Sequence, residues 1–430
     1  MIASTFEEAH SPDWIEQNIH PIHELVILRQ VIPWLRIIGR LTPFYDSERG
    51  RLGKELRTVV ALLILSRLRS LSDREVVSQV KENRYMQYFC NVSDEDLQTF
   101  LHPGSLSKFR KRLGGDGIGI IEMEVFEKLR RCGVIDKDTS LIDSSVLENN
   151  IIYSNDVQLL FKAFVKMASF ARRHHLPLWW DQKEIKKRWR AFGLAKAGER
   201  VAYLLEFHFL FVPTLETFFE QVNALEASEK EKQQANFLFD ILSLLECQTR
   251  QKLAGEKHIK DRIVSLDEMD ARPIKRGKSY PRCEFGTTIQ MSFNRQGFMI
   301  TTENLIGNPN DKTLYGNTLE LFRERMKGDP ETVVTDMGYR SQKNFEITPA
   351  AVTNVFLGKS EDVAEEMRDF CRRARSATEG FIAVAKNLRS FRCSLYRGLW
   401  GDRIWTLLCQ TAYNLKKLVQ LYLCVLFLLH

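Results

Sequence analysis

Three carboxylates stand out because of what surrounds them. Asp143 lies in SLIDSSVLENN, residues 140–150, where Leu141, Ile142, Val146 and Leu147 suit a strand buried on both faces. A charge on such a track is costly unless a partner or a metal compensates it. Asp336 ends the run VVT and precedes Met337, Gly338 and Tyr339. A carboxylate at the carboxyl end of a buried strand, with Gly for a sharp turn, lies where open α/β sheets put their ligands. The plainer role for Asp336 is to cap the short helix SQKNFE. Glu379 falls in a helical stretch with an apolar stripe of Phe370, Ala374, Ala377, Phe381, Val384 and Leu388, and with Arg375, Glu379 and Lys386 opposite. Periodicity alone makes that opposite face a solvated one, its Arg375/Glu379 pair worth about 0.2–0.5 kcal/mol. Brought together, two Asp from separate strands and one Glu from a helix would offer acceptor-only oxygens to two Mg²⁺ ions. Such ions sit roughly 3.5–4 Å apart and clamp both oxygens of an in-line phosphoryl displacement. Without cations, carboxylates crowded in this way raise one another's pKa.

The elements that must position them read as follows. Residues 21–135 carry helical periodicity: Leu56, Val60, Leu63 and Leu68 stripe one helix, and Ser72 with Glu75 forms a capping box for the next. PGSLSKFRKRL then opens at a Ser cap and groups Lys108, Arg110, Lys111 and Arg112 on one helix, where phosphates could be neutralised. The plainer reading is two solvated helices of a small bundle. After the Asp143 strand, residues 155–262 lack strand alternation and read as an inserted helical bundle. Its basic run DQKEIKKRWR (181–190) either lies along a DNA backbone or is a solvated face with one buried Trp. Strand signals resume at IVSLD (263–267), followed by a hairpin from CEFGTTIQMSFN and GFMITTENLIG that turns at Gly297. A helix capped by Asp311 or Thr313, the ETVVTD strand, the AVTNVFLG strand, a helix over 361–389 and a last helix over 402–428 complete the chain. Ile404, Leu408, Thr411, Leu415 and Leu418 stripe that last helix. The predicted class is mixed α+β, with three parts. These are a helical N-terminal domain (1–135), a mixed sheet with flanking helices (136–154 and 263–430), and the helical insert (155–262).

The 430 residues allow two or three domains, and 44% hydrophobic with 27% charged is ordinary globular composition. A net charge of +7 suits a polyanionic partner but is also common in proteins that bind none. The eight cysteines show no CxxC pair and no zinc spacing, so they read as reduced thiols in a cytoplasmic protein. The N-terminus lacks a signal-peptide pattern, and the apolar tail LVQLYLCVLFLL (418–429) is shorter than a membrane span, so it reads as a core-docking helix.

The order of core elements matches a ribonuclease-H-like fold. In LIDSSVLENNIIYSND, IKRGK with CEFGTTIQ, TDMGYRSQKNFE and RSATEGFIAVAKN, taken in this order, the chain resembles DDE-type transposases of bacterial insertion sequences, from SDREVV and FRKRL to AYNLKKL. The resemblance implies that Asp143, Asp336 and Glu379 form a catalytic triad holding two Mg²⁺ ions, with Mn²⁺ able to substitute. It also implies that Arg375 and Lys386 accompany the Glu at the DNA, that Lys275, Arg276 and Lys278 line the DNA path, and that the N-terminal helices help recognise the element's terminal inverted repeats. One branch of such enzymes has a Tyr one helical turn before the Arg; here Arg372 stands there, which leaves a hairpin intermediate in doubt. Partners implied are element-end and target DNA and a second copy of the chain in a synaptic dimer or larger assembly. The alternatives are a non-catalytic DNA-binding derivative, and a ribonuclease-H-like nuclease that cleaves without joining.

Overall fold

The computed structural model describes residues 8–45, 55–151, 155–226, 228–276, 283–357, 365–388 and 390–428. The chain is mixed α+β and divides into two compact units, one of Met1–Glu148, Thr287–Leu305 and Pro309–His430, the other of Asn149–Gly286 and Ile306–Asn308.

Among the described residues the first unit begins with eight α-helices: α1 (Pro12–Asn18), α2 (Glu24–Val31), α3 (Trp34–Leu41), α4 (Leu56–Leu68), α5 (Asp73–Glu82), α6 (Arg84–Cys90), α7 (Asp94–Gln98) and α8 (Pro103–Arg131). Every residue of α4 is buried, so the stripe expected there is one part of a helix enclosed on all sides. Two arginines tolerate this by stacking their guanidiniums on indoles: Arg57 lies 3.3 Å from the Trp34 ring centroid and Arg67 lies 4.0 Å from that of Trp405. Burial pulls the Arg57 pKa down to about 9. The capping box forms as expected: Ser72 Oγ accepts from Glu75 N, and Glu75 Oε2 accepts from Ser72 N at 2.8 Å. The cap of α8 is His102 rather than a Ser, because Pro103 takes the first helical position, and the helix breaks at Gly114, whose φ is 64°.

The sheet runs β2-β3-β1-β5-β6, with β4 beside β3 and β7 beside β1. Its strands are β1 (Thr139–Asn149), β2 (Arg272–Ile274), β3 (Glu284–Phe293), β4 (Met299–Ile306), β5 (Thr332–Asp336), β6 (Thr353–Leu357) and β7 (Cys393–Ser394). β5 is parallel to both β1 and β6. β3 and β4 form the expected hairpin, with Gly297 at φ 85° in its turn. Around the sheet lie α13 (Asp311–Met326), α14 (Gln342–Ile347), α15 (Glu365–Leu388) and α16 (Gly398–Leu428). Ile404, Leu408, Thr411 and Leu415 of α16 are buried as predicted, whereas Leu421 and Tyr422 beyond them are partly exposed. One apolar cluster runs from α2, α4 and α8 through Phe298, Ile300, Phe322 and Met326 to Ile404, Leu408, Leu415 and Val419 of α16.

The second unit holds α9 (Asp156–Arg173), α10 (Gln182–Leu194), α11 (Arg200–Asn223) and α12 (Glu229–Leu253), packed around Phe164, Phe207, Phe211, Phe218 and Leu242. IVSLD is not a strand. Gln248 meets both peptide groups of Ile263, accepting from its N at 2.8 Å and donating to its O at 3.1 Å, so the segment is held to α12 and pairs with no strand among the described residues. Trp189 is a packing residue, stacked on Phe161 at 4.5 Å and donating to Gln158 Oε1. Among the described residues, one helical stretch, Ala197–Asn223, is long and apolar enough to cross a membrane. Its Phe207, Phe211 and Phe218 are fully buried within the insert. None of the eight cysteines, all among the described residues, is in a disulfide.

Candidate functional site

β1 is buried along nearly its whole length, which is what its run of branched and small residues dictates, and Asp143 interrupts it as a half-buried carboxylate. Its Oδ1 accepts from Ser144 N at 2.7 Å. The parallel register pairs Thr139 with Thr332 and Leu141 with Val334. Continued two residues, it brings Asp143 level with Asp336, on neighbouring strands that lie about 4.8 Å apart while paired. The ladder stops just short of the two acids, so both sit where the strands part at the carboxyl end of the parallel pair.

Asp336 is not the cap of α14, which is capped by Ser341. It caps the short 3₁₀ turn Met337–Tyr339, Oδ1 accepting from Gly338 N at 2.8 Å. A Cβ at Gly338 would lie 2.8 Å from Asp336 Oδ1 and 3.3 Å from Asp311 Oδ2. Asp311 is therefore a further carboxylate at this point. It stands at the first position of α13, which Asn310 caps, and its Oδ1 accepts from Ser144 Oγ at 2.8 Å. Tyr339, fully buried in the same turn, donates to Gln290 Oε1 at 3.0 Å. Burial raises its pKa, and the nearby Asp311 and Asp143 charges add to the rise, so it remains a neutral donor.

On α15 the buried positions are Cys371, Thr378 and Ala385, with Phe370, Ala374, Phe381 and Ile382 packed beside them. The stripe is thus rotated from the predicted one, and Val384 and Leu388 are exposed at 39% and 55%. The rotation follows from the sheet: small residues at 371, 378 and 385 let the helix approach closely, and they place Arg375 and Lys386 on its flank rather than opposite. Arg375 reaches Asp336 Oδ2 at 3.7 Å and Glu379 Oε1 at 3.6 Å, so one guanidinium lies between two of the three predicted carboxylates. Lys386 Nζ donates to Ser145 Oγ at 3.3 Å, two residues along β1 from Asp143. Glu379 itself is 64% exposed. Among the described residues, no three His, Cys, Asp or Glu side chains are gathered closely enough to hold a metal ion as they stand.

The remaining predicted contacts divide. Lys108, Lys111 and Arg112 are exposed on α8. Arg110 is not: it is 8% exposed, makes a two-pronged ion pair with Asp73 at 2.8 and 2.6 Å and lies over the Tyr396 ring, so it fastens α8 to α5 and is withheld from phosphate. Lys275 is exposed and Arg276 half-buried beyond β2, while Lys278 lies outside the described residues. Sequence reading missed Asp311, Ser144, Ser145 and Tyr339 as parts of this site. Asp311 was hidden because Asp in the first turn of a helix is ordinary. The signal for the serines was their place directly after Asp143.

Residues 13–112 match the family model described as "Transposase domain (DUF772)". The chain is similar to the uncharacterized protein ORF8 in the nfe locus of Rhizobium meliloti, 29% identical over 180 residues that span 41% of this chain and 86% of that protein. No solved structure matches.

Proposed function

We propose that the chain is a DDE-type transposase, which binds the terminal inverted repeats of its mobile element, cleaves DNA strands and joins the freed 3′ ends to target DNA. The observation that carries this reading is the β1/β5 register that levels Asp143 with Asp336, with α15 delivering Arg375 and Glu379 to the same place. Support comes also from the strand order. Leaving out the three-residue β2, the core order β4-β3-β1-β5-β6 has a hairpin on one side of the Asp143 strand and two parallel strands on the other, as in a ribonuclease-H-like sheet. The transposase-domain match at 13–112 points the same way.

Asp143, Asp336 and Glu379 are the residues that would hold two Mg²⁺ ions, or Mn²⁺. Their oxygens fit hard cations, and the fit requires Glu379 to swing from Arg375, a contact of 3.6 Å on an exposed side chain. Bound there, the ions would supply charge stabilisation at the scissile phosphate and activate water or a 3′-hydroxyl. The chain's own residues do the rest. Arg375, released from Glu379, keeps Asp336 in place and presents its remaining donors to a DNA phosphate. Lys386 adds a charge beside Asp143, held by Ser145. Tyr339 and Ser144 fix the 3₁₀ turn and Asp311, so that the carboxylates do not relax apart. Cutting two ends and joining them calls for a dimer or larger assembly on DNA, in the cytoplasm.

Incubation with element-end duplex, a target plasmid and Mg²⁺ tests the reading. Asp143→Asn, Asp336→Asn and Glu379→Gln should each abolish cleavage and leave end binding intact, and any variant that cleaves near normally leaves the triad. Cleavage without joining would support the nuclease, and binding alone the regulator.

A further inference from the structure

The second unit carries a cleft of about 740 Å³ that shares with the residues above only Lys275 and none of the carboxylates. Its wall is built by the last turn of α12, the loop that follows, and β2. Lys252, Lys257, His258, Lys260, Arg262 and Lys275 all line it. Asp156 is the one carboxylate there, and Arg262 already occupies it with contacts of 2.8 and 2.9 Å. Lys252, Lys257, Lys260 and Lys275 are exposed, and none has an ion-pair partner among the described residues.

Like charges gathered on one concave wall repel, and a concave, low-dielectric wall concentrates their field, so the cluster favours an anion that spans several of them. The loop also has the backbone of a built feature: Asp261 holds a φ of 51°, and Gly255 takes 88° in the turn after α12. We infer that this cleft binds the phosphodiester backbone of duplex DNA, giving the insert a DNA contact of its own. This rests on the proposed DNA-handling function, and the favoured occupant is duplex DNA because the lining offers four exposed lysines against a single carboxylate that Arg262 already pairs, the charge complement of a polyanionic backbone.

The full-length protein is used for the test, with a fluorescent element-end duplex titrated across a salt series. Replacing Lys252, Lys257 and Lys260 together by Ala removes three exposed charges and no buried contact. The slope of log K against log [salt] should flatten by about 2.7, at about 0.9 per phosphate contact. Acetylation mapped by mass spectrometry gives a second readout. DNA should shield these lysines in the wild type, while Lys232, about 30 Å away near the other end of α12, stays reactive. An unchanged slope with unshielded lysines overturns the inference, as does equal shielding by millimolar inorganic phosphate, which would mean a small-anion site. Wild-type protein that fails to bind the duplex at all would overturn the proposed function as well, a separate and recognisable result.

Discussion

Gly338→Ala is a sharp probe of the site because it changes one atom and leaves the backbone alone. Gly338 does not have a positive φ, so alanine is unstrained there, and the atoms nearest the new Cβ are Asp336 Oδ1 at 2.8 Å, Asp311 Oδ2 at 3.3 Å and Asp336 Cγ at 3.7 Å. Real Cβ atoms essentially never approach to 2.8 Å, so the Asp336 carboxylate must rotate away by several tenths of an ångström or more and stretch its bond from Gly338 N. Met337 and Gly338 are exposed, and water replaces most of what is lost there, so stability should fall by no more than about 1 kcal/mol. Catalysis should suffer far more, since misplacing a reacting group by about 1 Å can cost on the order of 100-fold. Gly380→Ala is the matched control. It adjoins Glu379, its Cβ would have nothing within 4 Å, and helix propensity should stabilise it by up to about 1 kcal/mol. Thermal unfolding and Mg²⁺-dependent nicking of element-end DNA would be measured for both. Near-normal nicking by Gly338→Ala, or an equal loss in Gly380→Ala, would refute the placement of Asp336 at the reacting centre.

On α8 two neighbouring cations should behave oppositely. Arg110→Ala breaks the pair with Asp73 and should cost about 2–4 kcal/mol in urea unfolding, whereas Lys111→Ala should leave stability within about 0.5 kcal/mol and lower the DNA salt slope by about 0.9 if α8 faces phosphate. Arg325→Ala strands the buried Glu122, whose two oxygens it holds at 2.9 and 2.5 Å, and should destabilise by about 3–5 kcal/mol in the same assay. In the second unit, hydrogen bonding from Lys162 and Lys166 outweighs desolvation and lowers the Asp267 pKa to about 2 from 3.8. A depressed carboxylate stabilises the fold above its ordinary pKa and ceases to as pH falls through the folded value. Asp267→Asn should therefore be less stable than wild type at pH 7 and equal to it near pH 2, the gap closing between about pH 4 and 2. Because Asp267 is 39% exposed, that gap should be under about 1 kcal/mol.

Much of this was legible in the residues. Leu141, Ile142, Val146 and Leu147 announce a strand with two buried faces, the Ser72/Glu75 spacing fixes a helix start, and Gly297 marks the hairpin, because each signal is local. The phase of α15 was not legible. Val384 and Leu388 look like part of the packing face by hydropathy, but they are exposed, and the buried positions are the small Cys371, Thr378 and Ala385. Arg110 misled for a related reason: nothing in FRKRL distinguishes the one cation that a distant Asp73 will claim. IVSLD has strand composition and lacks only a neighbour, which sequence does not reveal. Asp311 joined the site through Ser144, 167 positions away, a distance at which only the fold brings side chains together.

The apolar cluster that joins α2, α4 and α8 to α16 also sets a timetable. Its first contributor is Leu25 and its last is Val419, so the sides of α4 and α8 that meet α16 are synthesised long before their partner, while α4 already has α3, α5, α6 and α8 to pack on. From the end of α8 to Ile404 is some 270 residues, roughly 15–55 seconds of synthesis at 5–20 residues per second. For that interval the sides of α4 and α8 that meet α16 lack their final cover, which ties completion of this core to the synthesis of the last helix.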